Sequence, residues 1–169
     1  MRILITGNKG FVGSETERYF KQQGLEVIGY DLMSGNDIRS HSYLRNYCIN
    51  NNVDRILHLA AIARFSEADD DPKLAFETNV LGTKNIALVS GELSIPVVYA
   101  STGSVYMPIT QTPPITEKFK ANGNSVYACT KYLGELYIKE HSSTYIILRY
   151  SHLYGKDKRY HGLIGGYLS

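Results

Sequence analysis

The chain has 169 residues, 43% of them hydrophobic and 20% charged, with a formal net charge of +2. That length and composition suit one soluble domain with a sizeable core. The balanced charge, with no stripe of Lys or Arg, argues against a nucleic-acid partner, and no apolar run reaches membrane-spanning length.

Ile3 to Thr6 reads as a buried strand, and Met1-Arg2 leads into it without a signal-peptide pattern. The glycines Gly7, Gly10 and Gly13 follow. Val12, Thr16, Tyr19 and Phe20 then recur at helical spacing up to a stop at Gly24. Glu26 to Asp31 is a second strand. Ser40 is placed to cap a helix with Tyr43, Leu44, Tyr47 and Cys48 on one face, ended by Asn50 to Asn52. Asp54 to Leu59 is a third strand, and Arg64 and Phe65 fall in the loop after it, placed either to touch a substrate or to be solvated. Asp71-Pro72 is a helix start, with Asp as cap and Pro at the first helical position. The Asp69-Asp70-Asp71 run suits the positive end of that helix better than a metal. The helix runs to about Ser90, with Leu74, Ala75, Val80, Thr83, Ala87 and Leu88 on one face. Val97 to Ala100 is a fourth strand, and a Pro- and Thr-rich loop spans about Met107 to Asn124. Val126 to about His141 is helical, and Thr144 to Tyr150 is a fifth strand. Short strands alternating with helices of a dozen residues predict an α/β fold with a doubly wound parallel sheet of about five strands.

Three groups of residues carry chemistry. The first is the strand-to-helix turn at Gly7, Gly10 and Gly13, where a backbone without Cβ atoms can approach a pyrophosphate at a helix N-terminus. Asp31, at the end of the second strand, can accept hydrogen bonds from a ribose and repels a 2′-phosphate, which favours NAD over NADP. Asp37, in a short loop, can reach the adenine edge. The second is Tyr127 and Lys131, one turn apart on one helix face. A cation beside a phenol favours the phenolate and suits Tyr127 to accept a proton. The third is Ser101-Thr102-Gly103-Ser104-Val105-Tyr106, at the carboxyl end of the fourth strand, where ligands of open α/β sheets bind. Cys48 and Cys129 show no metal-ligand spacing and read as free thiols in a reducing cytoplasm. No metal site is expected.

In chain order, Gly7/Gly10/Gly13, Asp31, Asp37-Ile38, His58-Leu59-Ala60-Ala61, Asn79-Val80-Leu81-Gly82-Thr83, Ser101-Thr102 with Val105-Tyr106, Tyr127 with Lys131, and Leu148-Arg149-Tyr150 with Leu153-Tyr154-Gly155 resemble the extended short-chain dehydrogenase/reductases, in the NAD-dependent epimerase/dehydratase branch. The resemblance covers nearly the whole chain. It implies a Rossmann fold over residues 1–155. It implies that Gly7, Gly10, Phe11, Val12 and Gly13 hold the pyrophosphate, Asp31 the adenosine ribose, and Asp37 and Ile38 the adenine. Leu59, Ala60 and Ala61 would line the cofactor, and Asn79 would brace the site. Tyr127 would be the catalytic base, with Lys131 on the nicotinamide ribose, Thr102 supplying the hydroxyl and Tyr150 near the nicotinamide. Arg149 is read as structural and His58 as a packed strand-end residue.

Members that dehydrate nucleotide sugars carry Asp-Glu after the Thr, whereas Gly103-Ser104 follows Thr102. The pattern resembles the sugar 4-epimerases, in which the Tyr takes a hydroxyl proton while hydride passes to NAD and returns to the other face of the keto-sugar. Two alternatives stay open: a module that binds NAD without turnover, and a reductase that uses NADH on a keto-sugar. Extended members are roughly twice as long, and residues 156–169 would begin their C-terminal region. The resemblance therefore implies an absent substrate domain, a half-built nucleotide-sugar pocket and impaired turnover. Tyr150, Tyr154, Tyr160 and Tyr167 would pack on that domain in a longer parent, and in this chain would be exposed or drive self-association. The helices at 72–90 and 126–141 would form a homodimer through a four-helix bundle.

Overall fold

The computed structural model describes residues 1–107 and 114–154. Five strands, β1 (Arg2–Thr6), β2 (Glu26–Tyr30), β3 (Arg55–His58), β4 (Val97–Thr102) and β5 (Tyr145–Tyr150), form one sheet in the order β2-β1-β3-β4-β5. Every pairing is parallel. The direction of strand addition reverses at β1, which opens a crevice at the carboxyl ends of β1 and β3.

The helices are α1 (Phe11–Gln22), α2 (His41–Asn50), α3 (Phe65–Asp70), α4 (Pro72–Phe76), α5 (Thr83–Leu93) and α6 (Val126–His141). The second, fifth and sixth helices pack on one face of the sheet, with α1 on the other. The core lies under α2, α5 and α6. It contains Leu4, Leu44, Cys48, Ile56, Ile86, Val89, Tyr99 and Ile138, all essentially without solvent contact. Burying one such aliphatic side chain stabilises the fold by ~1.5–3 kcal/mol. Among the described residues α1 is the only helix on its face, so Phe20 is half-buried and Ile146 of β5 is 57% exposed.

Several expectations change. The second strand ends at Tyr30. Asp31 instead caps a 3-10 turn (Leu32–Ser34), its carboxylate accepting the Met33 N–H. Phe65 lies in α3, not in a loop. That helix cannot run on into the next, because Pro72 disfavours helical backbone at the preceding residue, and Asp71 sits at φ −134° and ψ 79°. Asp71 then caps α4 by accepting the Leu74 N–H at 2.9 Å, as the sequence indicates. The helix expected over 72–90 is α4, a π-helical segment (Glu77–Gly82) and α5, and it continues to Leu93. The widened turn rotates the apolar face, so Leu74 is exposed while Ala75, Val80, Thr83, Ile86 and Ala87 are buried. On α2, Leu44 and Cys48 face the core, whereas Tyr43 is 49% exposed. Tyr154 is exposed, and Tyr160 and Tyr167 lie outside the described residues.

Candidate active site

The loops at the carboxyl ends of the strands enclose a groove of about 1480 Å³. One end is shaped by backbone. Gly7 has φ +72°, and a Cβ there would lie 2.8 Å from the Ala60 nitrogen. At Gly13 a Cβ would lie 2.2 Å from the Gly7 carbonyl oxygen and 2.7 Å from the Asn8 Cα. No side chain of this sequence other than hydrogen fits where α1 crosses the β1 turn. The Gly10 N–H donates to the Gly7 carbonyl at 3.0 Å and closes the turn. Gly10 stands at the α1 N-cap, so no side chain caps that terminus, and its first turn holds no acidic residue. The helix dipole there favours an anion. Asp31 borders the same end, its two carboxylate oxygens accepting the Lys9 N–H at 3.0 Å and the Met33 N–H at 2.9 Å. Each oxygen keeps a second lone pair for a hydroxyl donor. These residues fit a dinucleotide: a Cβ-free cradle for phosphates and a carboxylate one strand away for a ribose.

The other end is shaped by side chains. Thr102, Ser104, Tyr127, Lys131 and Tyr150 line it together with Ala100 and Ser101. The Thr102 hydroxyl accepts the Ser104 N–H and donates to the Ser104 hydroxyl, both at 3.2 Å. Ser125 caps α6 by accepting the Ala128 N–H at 3.2 Å, which fixes the turn bearing Tyr127. The Phe65 ring meets the Tyr127 ring edge-on at 5.1 Å. Lys131 is 3% exposed, and burial pushes its ammonium down to about 7, against an upward pull from Glu135.

Glu135, one further turn along α6, is fully buried. It accepts two hydrogen bonds from Arg149, at 2.8 and 2.6 Å, and one from the Ser101 hydroxyl at 2.6 Å. Arg149 also donates to the Tyr106 hydroxyl at 2.6 Å. Burial pushes the Glu135 carboxyl up, but the Arg149 and Ser101 hydrogen bonds outweigh it, and the net shift is downward. One buried acid thus ties α6 to β4, to β5 and, through Arg149, to the 3-10 turn after β4 (Gly103–Tyr106).

A second polar chain supports the floor. The Thr6 hydroxyl accepts the N–H groups of Leu59 and Ala60, each at 3.2 Å. Its own proton therefore goes to His58 Nδ1 at 2.7 Å, and Nε2–H faces the Thr83 hydroxyl at 2.9 Å. Burial, aided by the Lys131 charge, pushes His58 down to about 3, so it stays neutral.

The structure brings Gly7, Gly10, Phe11, Val12, Gly13, Asp31, Asp37, Ile38, Leu59, Ala60, Ala61, Thr102, Tyr127, Lys131 and Tyr150 to this one groove. Asn79 is different. It is fully buried behind the wall, accepts the Ile62 N–H at 2.8 Å and donates to the Ile62 carbonyl and the Thr130 hydroxyl. It braces the loop after β3 against α6. The Asp37 carboxylate is clasped by the Arg39 guanidinium, at 2.7 to 3.0 Å, which holds it below the usual carboxylate range. Sequence reasoning overlooked Glu135 and Tyr99, and placed Phe65 in a loop rather than at the start of α3. Glu135 carried a signal: Tyr127, Lys131 and Glu135 are spaced by four on one helix, and an acid on the inward face demands a buried partner.

The chain matches the NAD dependent epimerase/dehydratase family over residues 3–168. A putative UDP-glucose 4-epimerase of Methanocaldococcus jannaschii is 31% identical, over 91% of this chain and 56% of its own length. A Thermus thermophilus UDP-glucose 4-epimerase in complex with NAD superposes with a TM-score of 0.87 at 28% identity, over 98% of this chain and 60% of that one. The dTDP-4-dehydrorhamnose reductase of Bacillus anthracis, in complex with NADP, superposes with a TM-score of 0.85 at 28% identity, over 92% of this chain and 55% of that one. The chain thus spans little more than half the length of these relatives.

Proposed function

The chain belongs to the NAD-dependent epimerase/dehydratase family, and from that membership we propose that it is the cofactor-binding, proton-transferring part of a nucleotide-sugar 4-epimerase. One observation carries the reading: Thr102, Tyr127 and Lys131 line the same groove as the Gly7–Gly13 cradle and Asp31. Gly7, Gly10 and Gly13 allow phosphates to approach the backbone, and the α1 N-terminus balances their charge. Asp31 receives the ribose hydroxyls, with NAD preferred because a 2′-phosphate would face a carboxylate. Bound NAD supplies the two-electron oxidation and reduction of the sugar carbon. Lys131 holds the second ribose and, in its protonated form near Tyr127, favours the phenolate. Tyr127 takes the proton of the sugar hydroxyl and later returns it. Thr102 shares that proton by hydrogen bonding. No helix among the described residues is long and apolar enough to cross a membrane.

Calorimetric titration with NAD, NADH, NADP and NADPH tests the cofactor assignment. Saturable binding with NAD(H) preferred is expected; failure of every pyridine nucleotide to bind overturns the reading. Weak or absent epimerisation of UDP-glucose is expected from the 169-residue chain, since positioning can supply ~7–11 kcal/mol of a barrier. Normal turnover by that chain would contradict this. The likeness to the reductase from Bacillus anthracis favours, as a second reading, reduction of a keto-sugar. NAD that survives purification supports an epimerase, and ready exchange of NADH supports a reductase. We also place a homodimer contact on the exposed Phe76, Leu81, Leu133 and Leu136. Sedimentation of a Leu133→Glu/Leu136→Glu variant as a monomer, against a dimeric parent, would bear this out; a monomeric parent would refute it.

A further inference from the structure

Tyr99 of β4 has no solvent contact, yet it touches Lys131 twice. Its ring lies beneath the Lys131 ammonium, 4.4 Å from centroid to Nζ. Its hydroxyl donates to the main-chain carbonyl of that same residue at 3.2 Å. A cation over an aromatic face within about 6 Å is attracted by the ring quadrupole, more strongly when water is excluded. The ring is itself seated, stacked on His58 at 5.5 Å and 25°. Helix α6 makes room for it. A Cβ on Gly134 would lie 2.4 Å from the Tyr99 hydroxyl oxygen and 3.1 Å from Cζ. A helix interior ordinarily gains when Gly becomes Ala, so Gly134 is explained by the phenol pressed against it.

We propose that Tyr99 is a positioning residue for Lys131: its ring carries the ammonium and its hydroxyl holds the carbonyl, so that β4 sets where the lysine enters the groove. The role in cofactor binding rests on Lys131 contacting the cofactor as proposed above; the positioning itself does not. The His58 ring stacked on Tyr99 belongs to the chain that receives the Leu59 and Ala60 N–H groups through Thr6. The loop after β3 and the lysine of α6 thereby share one buried support.

The test reads the ε-CH2 proton signal of Lys131 in lysine-labelled protein, assigned by its disappearance in Lys131→Met. In the parent chain the ring current of Tyr99 should shift this signal upfield of the other lysines. Tyr99→Leu should abolish the shift and Tyr99→Phe should retain part of it. Gly134→Ala should move the signal toward the other lysines by displacing the phenol. Combining Gly134→Ala with Tyr99→Phe should restore it toward the Tyr99→Phe position, because removing the hydroxyl vacates the space the methyl needs. NADH affinity should fall about tenfold in Tyr99→Leu and Gly134→Ala, and about threefold in Tyr99→Phe. The double variant should bind no worse than about twofold below Tyr99→Phe. A parent signal coincident with the other lysines, or an unmoved signal in folded Gly134→Ala, overturns the proposal. Should Tyr99→Leu fail to fold, the Gly134→Ala pair still decides. A parent chain that does not bind NADH refutes the functional reading, while the signal continues to judge Tyr99.

Discussion

The two ends of the groove are built from different materials. The end at Gly7–Gly13 is main chain against main chain, with hydrogen where side chains would collide. The end at Thr102, Tyr127 and Lys131 is side chain against side chain, held by a buried acid, a clasping guanidinium and an aromatic shelf. A main-chain cradle is either intact or lost, because neither partner has a rotamer to yield. A side-chain network can lose one member and keep part of its geometry, at a cost set by the charge left unpaired.

Gly13→Ala should break the first end outright. The added methyl meets two main-chain atoms at 2.2 and 2.7 Å, so the cost should reach or exceed the upper end of the ~1–3 kcal/mol typical of overpacking. Chemical denaturation of the variant, or its absence from the soluble fraction, checks this. Glu135→Gln tests the second end. It leaves Arg149 facing a neutral amide and should cost about 3 kcal/mol, at the low end for breaking a buried pair because Arg149 keeps Tyr106. The Glu135 pKa is lowered in the folded chain, so its contribution is present above the ordinary value of 4.5 and is lost as pH falls through the folded value. The acid limb of the stability profile should therefore flatten in Glu135→Gln. An unchanged limb would show that the pair contributes nothing.

Lys131→Met sharpens the contrast, since here site chemistry opposes stability. The lysine titrates near 7 when folded, against an ordinary 10.5. Above 10.5 neither state bears the charge, and between 10.5 and 7 the unfolded chain binds more protons, so stability drops as pH falls toward 7. Methionine should remove that slope and raise stability at neutral pH while weakening NADH binding about tenfold. Denaturation at pH 7 and pH 9 together with a binding titration would expose the opposite outcome. Asp31→Asn should have the smallest effect. NADH should bind about threefold more weakly and NADPH no more weakly than before, because the amide still accepts from one ribose hydroxyl but no longer repels phosphate. Equal losses for both cofactors would count against the ribose role.

The chain's own residue pattern determined the alternation of strands and helices, the Asp71 cap and the cradle glycines. Each of these is a local matter, set by period, by a capping oxygen or by the absence of a Cβ. It also marked Tyr127 and Lys131 as a pair, since four residues make one helical turn. Only the tertiary structure decided that Asn79 stands behind the wall, that Phe65 begins a helix facing Tyr127, and that the long helix is broken by a widened turn. It alone showed Glu135 joining α6 to two strands and Tyr99 lying beneath Lys131. Those contacts join residues 14 to 62 positions apart, and no local preference encodes such distances. They arise when parallel strands are brought side by side and the polar groups caught between them must find partners away from water.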